Sequence, residues 1–198
     1  MSPKQTLLVG MTGASGQIYG IKVLQHLAQT EVESSLILSR ASKLNIENEE
    51  DFSVQEVQNL ADHVYEYKSS NTPYMMEKNG FCGMLITPCS MKTLGSVAIG
   101  TTDNLITRCA DRTLRNRKTL VLMPREKPFD RVHLQNMLHV HDAGGVIMPP
   151  FLSFYTGIRT LDGLIDRTVQ RTLMLFDLPL SIEEWKGVRE QIRSRKQE

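Results

Sequence analysis

Two short stretches place backbone amides and hydroxyls where an apolar run gives way to a helical pattern. The first, VGMTGASGQIYG, covers residues 9–20 and follows the apolar Thr6-Leu7-Leu8. Gly10, Gly13 and Gly16 fit a GxxGxxG spacing. That is not the GxGxxG of dinucleotide sites, and the lysine of a P-loop is missing. Glycines and hydroxyls between a strand and a helix N-terminus can bind an anion through bare N–H groups and the helix dipole. Ser15 stands where it can also cap the helix. A plain tight turn fits the same spacing. The second stretch, TPCSMKTLGS, covers residues 87–96. Pro88 ends a strand, and Ser90 and Thr93 surround a new helix start. Cys89 reads either as a nucleophile with no histidine marked beside it or as a buried, inert thiol. Two strand ends of this kind suit a ligand with a phosphate and a polar ring system.

Further candidates follow other apolar runs. In LMPREKPFD, Arg125 and Glu126 come directly after a strand pattern. An arginine there can grip a phosphate, and a carboxyl beside it can act as acid or base; a surface ion pair is the alternative. PPFLSFYTG is a rigid aromatic loop whose Tyr155 either offers a hydroxyl to a phosphate or packs. Arg171 flanks the apolar stripe of the last helix, either snorkelling or facing an anion. In DNLITRCADRTLRNRK, Arg108, Arg112 and Arg115 fall opposite the apolar side, which suits a solvated face with Asp111 as local partner or a subunit contact. His139 and His141 are two apart on a helix and face different ways, so they form no metal pair. His26, His63 and His133 read as structural, and no metal is expected.

The elements that would position these residues alternate. Strands are expected at residues 6–10, 35–39, 83–88, 119–124 and 145–149, and helices at 18–27, 54–60, 105–114, 132–140 and 161–176. Continuous Val/Ile/Leu-rich strands separated by helices indicate an α/β fold with a parallel sheet covered on both faces. Ligands of such folds bind beyond the carboxyl ends of the strands, near the switch in strand order. A chain of 198 residues is most simply one domain. We take it as residues 1–180, followed by a charged tail at 181–198; residues 71–80 read as a loop. With 23 Lys plus Arg against 22 Asp plus Glu, the chain lacks the positive excess of a nucleic-acid or membrane-surface binder. No apolar run is long enough for a bilayer span, and the start lacks a signal-peptide core. The three cysteines show no CxxC spacing and read as reduced thiols of a cytoplasmic protein.

Taken in order, GMTGASGQIYG, Ser39 after the second strand, PCSMKTL, DNLITRCAD, PREKP with HLQNML, and PPFLSFY resemble the UbiX-type flavin prenyltransferases. These belong to the wider group of flavin-containing cysteine decarboxylases, and the resemblance covers nearly the whole chain. It implies a Rossmann-like, three-layer flavoprotein fold. It also implies transfer of a dimethylallyl group from dimethylallyl phosphate or diphosphate to N5 and C6 of reduced FMN, without a metal. The prenylated FMN would serve a UbiD-type decarboxylase. By position, the resemblance assigns FMN to Gly13, Ala14, Ser15, Ser39, Ser90, Met91, Lys92, Thr93 and Arg125. It assigns the prenyl phosphate to Tyr155 and Arg171, with Arg108, Arg115 and Trp185 near the same substrate. Glu49 and Glu126, with Ser15, become the catalytic groups. A homododecamer with sites at subunit junctions is implied, with Arg108 and its neighbours also available for assembly. The chain departs from the family pattern in two places. Arg115 stands where lysine is usual, and the stretch around Tyr74, Met75, Met76 and Glu77 replaces a Ser-Ser-Gly segment near the prenyl phosphate. The altered loop leaves a non-catalytic FMN carrier or decarboxylase accessory subunit as the alternative. A cysteine decarboxylase ranks below both, because its catalytic histidine and PASANT-like motif do not stand out.

Overall fold

The computed structural model describes residues 4–69 and 81–178. Six strands form one sheet: β1 (Thr6–Met11), β2 (Glu33–Leu38), β3 (His63–Tyr65), β4 (Phe81–Cys89), β5 (Thr119–Pro124) and β6 (Val146–Ile147). Their spatial order is β3-β2-β1-β4-β5-β6, and every pairing is parallel. The chain leaves β1 for β2 on one side and returns to β4 on the other. The switch in strand order therefore falls between β1 and β4, where ligands of this architecture bind.

The strands are continuously apolar because each face has its own cover. Leu7, Val9 and Met11 of β1, Leu85 of β4, and Val121 and Met123 of β5 join one cluster. It packs on α1 (Ile18–Leu27) and on Ile165, Val169 and Leu173 of α7 (Leu161–Leu173), with Ile46 of α2 (Arg40–Glu49) and Val57 of α3 (Val54–Asn59). The alternate positions, Leu8, Met84, Ile86, Leu120 and Leu122, join the opposite cluster. That face is covered by α4 (Met91–Ala98), α5 (Leu105–Arg115) and α6 (Arg131–Asp142). The result is the expected three-layer Rossmann-like fold.

Strand 119–124 falls where the sequence places it, and the other differences have local causes. Strand β2 stops at Leu38 because Ser39 leaves the sheet to cap α2, its hydroxyl accepting from the Ser42 N–H at 3.0 Å. β6 is cut to two residues, since Pro149 and Pro150 have no N–H for the ladder. The last helix ends at Leu173, although Phe176 beyond it is still buried. Helix α2 was not expected from periodicity, because only Ser42 and Ile46 on it are buried. Strand β3 was also missed, being three residues long and largely exposed.

Helix α1 runs close enough to the sheet that Gly20 is required there. A Cβ at that position would lie 2.9 Å from the Thr87 carbonyl oxygen and 2.7 Å from the Met11 methyl. Gly20→Ala is therefore expected to lower stability by about 1–3 kcal/mol through overpacking. An unchanged denaturant midpoint would contradict the close approach.

Candidate active site

The turn after β1 is built by buried polar side chains. Thr12 is 2 % exposed. Its N–H and its Oγ1 both donate to the Pro88 carbonyl, at 3.2 and 2.8 Å, while Oγ1 accepts from the Ser90 N–H at 2.8 Å. One threonine thus joins the ends of β1 and β4. Gln17 is fully buried, and its Nε2 donates to the carbonyls of Thr12 (2.8 Å) and Ala14 (2.7 Å). Asn45 Nδ2, from α2, also donates to the Ala14 carbonyl at 3.1 Å. The N–H groups of Gly13 and Ser15 make no hydrogen bond among the described residues, and both residues are exposed. Gly13 lies against α2 so closely that a Cβ would overlap the Ala41 side chain, and Gly16 takes the left-handed region at φ 94°.

Six of the seven described α-helices carry a side-chain N-cap: Ser39, Ser53, Ser90, Asn104, Asp130 and Thr160. Helix α1 has none. Ser15 does not cap it, because the chain turns through Gly16 and Gln17 holds the cap position. Carboxylates from the far end of α2 take that place. Glu49 Oε2 accepts from the Gly16 N–H and Glu50 Oε1 from the Ile18 N–H, both at 2.8 Å. Anions at a helix N-terminus are stabilised by its dipole. Burial lifts the Glu50 carboxyl above its ordinary range; the Glu49 and Asp51 charges add to this, and the Ile18 N–H bond opposes it.

Ser90 caps α4, its hydroxyl accepting from the Thr93 N–H at 3.3 Å and donating to Thr93 Oγ1 at 3.1 Å. The Arg125 N–H donates to the Cys89 carbonyl at 3.1 Å, which draws the residues after β5 to the end of β4. The Arg125 guanidinium makes no hydrogen bond or ion pair among the described residues, while Glu126 Oε1 accepts from the Lys127 N–H at 2.9 Å. These three strand ends enclose a cleft of about 530 Å³, lined by Gly13, Ala14 and Ser15, by Ser90 and Met91, and by Arg125, Glu126 and Lys127. Behind it, Tyr19 donates its hydroxyl to the Pro150 carbonyl at 3.3 Å. Burial raises the Tyr19 phenol and the nearby Arg125 charge counters this. Cys89 is wholly buried and its thiol is pushed far up by that burial, which favours the inert reading over a nucleophile.

The other expected site residues lie away from the cleft lining. Ser39 is buried at the start of α2, and Lys92 and Thr93 stand in the first turn of α4. Arg171 Nη1 donates to the Tyr155 hydroxyl at 2.6 Å, so these two form an exposed pair of their own. Arg115 is solvated and bound to Asp111 at 2.8 Å. Arg108 and Arg112 are half-buried, which corrects the picture of one solvated arginine face. Trp185 and residues 74–77 lie outside the described residues. Thr12, Gln17, Tyr19, Asn45, Glu50 and Lys127 also belong to the site, though none was expected there from the sequence. Only Lys127, beside Arg125 in the same motif, carried a signal that could have found it.

The residues present suit a phosphorylated planar cofactor. Gly13, Ser15 and Arg125, whose amides and guanidinium are unpaired among the described residues, line a cleft within the size range of cofactor pockets. The fold and this site define a flavoprotein of the doubly wound α/β class, and the Flavoprotein family model matches residues 1–173. The chain belongs, within that class, to the UbiX-like flavin prenyltransferases. It is 40% identical over 189 residues to a probable UbiX-like flavin prenyltransferase of Bacillus subtilis (strain 168), spanning 95% of this chain and 93% of that one. A crystal structure of AnUbiX (PadA1) in complex with FMN and dimethylallyl pyrophosphate superposes with a TM-score of 0.89 at 41% identity, covering 93% of this chain and 98% of that one. A dodecameric FMN-dependent UbiX-like decarboxylase from Escherichia coli O157:H7 gives a TM-score of 0.86 at 36% identity, with 92% and 100% covered.

Thr12→Val keeps the shape of the side chain but removes its link to Pro88 and Ser90. Losing the two Thr12 Oγ1 bonds, to the Pro88 carbonyl and from the half-buried Ser90 N–H, should cost about 1–3 kcal/mol of stability. Flavin affinity should fall as the two turns separate, and calorimetric unfolding with flavin titration checks both.

Proposed function

We propose that the cleft at the ends of β1, β4 and β5 holds FMN, and that the chain joins a dimethylallyl group from dimethylallyl phosphate or diphosphate to the reduced flavin. The observation that carries this reading is the set of unpaired donors at the β1/β4 switch: the Gly13 and Ser15 amides on one wall and the Arg125 guanidinium on the other. Gly13, Ala14 and Ser15 hold the phosphorylated end, together with Ser39, whose hydroxyl proton remains available to an anion. Ser90 and Met91 line the second wall, with Lys92 and Thr93 beside them in the first turn of α4, and Arg125 lies across from both. The reduced flavin supplies the nucleophilic positions, N5 and C6, so the protein needs no nucleophile of its own.

What remains for the chain is to release an allylic phosphate and move protons. Tyr155 and Arg171, already joined by a hydrogen bond, offer donors to the leaving phosphate. Arg108 and Arg115 add positive charge on the same account. Donors fixed before the reaction stabilise developing negative charge without reorganising. Glu126 lines the cleft with Oε2 unengaged among the described residues, and Glu49 reaches the same loop through Gly16. Either carboxylate can accept the proton lost when the second carbon bond forms. We place Trp185 as an aromatic wall that helps exclude water.

The Tyr155–Arg171 pair lies outside the lining of its own chain's cleft, beside Phe151 and Phe154, which are 71% and 74% exposed. This supports a homododecamer in which the sites form at subunit junctions, as a dodecameric relative suggests. The product would pass to a UbiD-type decarboxylase in the cytoplasm. Among the described residues, no helix is long and apolar enough to cross a membrane.

Reduced FMN incubated with the protein and dimethylallyl phosphate should yield a flavin heavier by one five-carbon unit, read by mass spectrometry. FMN that binds but gains no such unit from either donor would reduce the chain to a carrier. Arg125→Met should weaken FMN binding about tenfold or more, the loss of a hydrogen bond to a charged group.

A further inference from the structure

We infer that Gln17 is a positioning residue that aims two backbone amides at the flavin phosphate, an inference that rests on the FMN reading above. The peptide group is planar and trans, so its C=O and N–H point in opposite directions. The Thr12 carbonyl and the Gly13 N–H belong to one such group; the Ala14 carbonyl and the Ser15 N–H belong to another. Gln17 Nε2 holds both carbonyls, at 2.8 and 2.7 Å, from a fully buried position. Drawing the two oxygens inward turns the two N–H groups outward. Both amides have no partner among the described residues and belong to residues of the cleft lining.

The remaining end of the side chain supports this assignment. Gln17 Oε1 is buried with no hydrogen-bond partner among the described residues, a cost that a residue chosen only to fill space would avoid. Gln17 also occupies the cap position of the one described α-helix that lacks a side-chain N-cap. Its amide turns away from its own helix and onto the preceding turn, leaving the Gly16 and Ile18 N–H groups to Glu49 and Glu50. The donors of Gln17 therefore shape the anion-binding face rather than the helix.

The test compares FMN with riboflavin, which lacks the phosphate, by fluorescence titration of the flavin-free protein. In Gln17→Met, which is similar in shape but has no donor, FMN should bind about tenfold or more weakly, and riboflavin affinity should be unchanged. Gln17→Glu presents an acceptor to two carbonyls and should lose the FMN preference at high pH. As pH falls from about 8 to about 6, that preference should return relative to the wild type, because burial and the facing carbonyls raise the carboxyl pKa and the protonated acid donates again. A steric role has no reason to follow pH in this way. A wild type that prefers FMN while both variants keep the same FMN-to-riboflavin ratio overturns the inference. Equal loss of both ligands also overturns it, by making Gln17 a general structural residue. A wild type with no preference for FMN over riboflavin would instead count against the phosphate-binding reading itself. If Gln17→Met fails to fold, the pH response of Gln17→Glu decides the question alone.

Discussion

The structure depends on the way a single turn disposes of its peptide groups. Between β1 and α1 the chain must reverse at the edge of a sheet, where every backbone polar group needs a partner or water. Here the carbonyls of Thr12 and Ala14 are satisfied from inside by Gln17 and Asn45. Thr12 ties the same turn to Pro88 and Ser90 of the neighbouring strand end. The inward bonds leave outward amides, and an anion is their natural partner. The rest of the fold keeps this turn in place. Leu7, Val9 and Met11 anchor β1 to one layer and Leu8 to the other, so the strand end cannot shift without disturbing both.

Around that turn the charges divide by wall. Glu49 and Glu50 come from the end of α2 and occupy the Gly16 and Ile18 amides. They stabilise the start of α1 and leave the Gly13 and Ser15 amides to a ligand. On the opposite wall Arg125 is brought to the end of β4 by its own N–H, which bonds Cys89, and its guanidinium stays uncommitted. An acid-capped helix facing an unpaired arginine across a cleft is suited to one anion held between amides and guanidinium. A carboxylate remains near enough to handle protons.

Much of this was legible in the sequence, and the limits have physical causes. Strand 119–124 and the βα junctions at Gly13, Ser90 and Arg125 could be read because apolar runs, glycines and prolines mark them directly. Helix α2 could not, since a helix that buries only Ser42 and Ile46 has no apolar stripe to detect. Gln17 and Thr12 look like ordinary polar residues in a string. Their importance lies in which carbonyls they meet after folding, and that has no periodicity. Glu49 was named through family resemblance alone; its bond to Gly16, 33 residues away, needed the fold. Ser15 lies in the cleft lining but does not cap α1, because the left-handed Gly16 moves the helix start past it.

The most direct measurement is a crystal structure of the protein with FMN. The account predicts phosphate oxygens within about 2.7–3.2 Å of the Gly13 and Ser15 nitrogens, with the Gln17 amide still on the Thr12 and Ala14 carbonyls. A flavin bound with its phosphate remote from this turn, or a turn whose carbonyls rotate outward when the flavin enters, would contradict it.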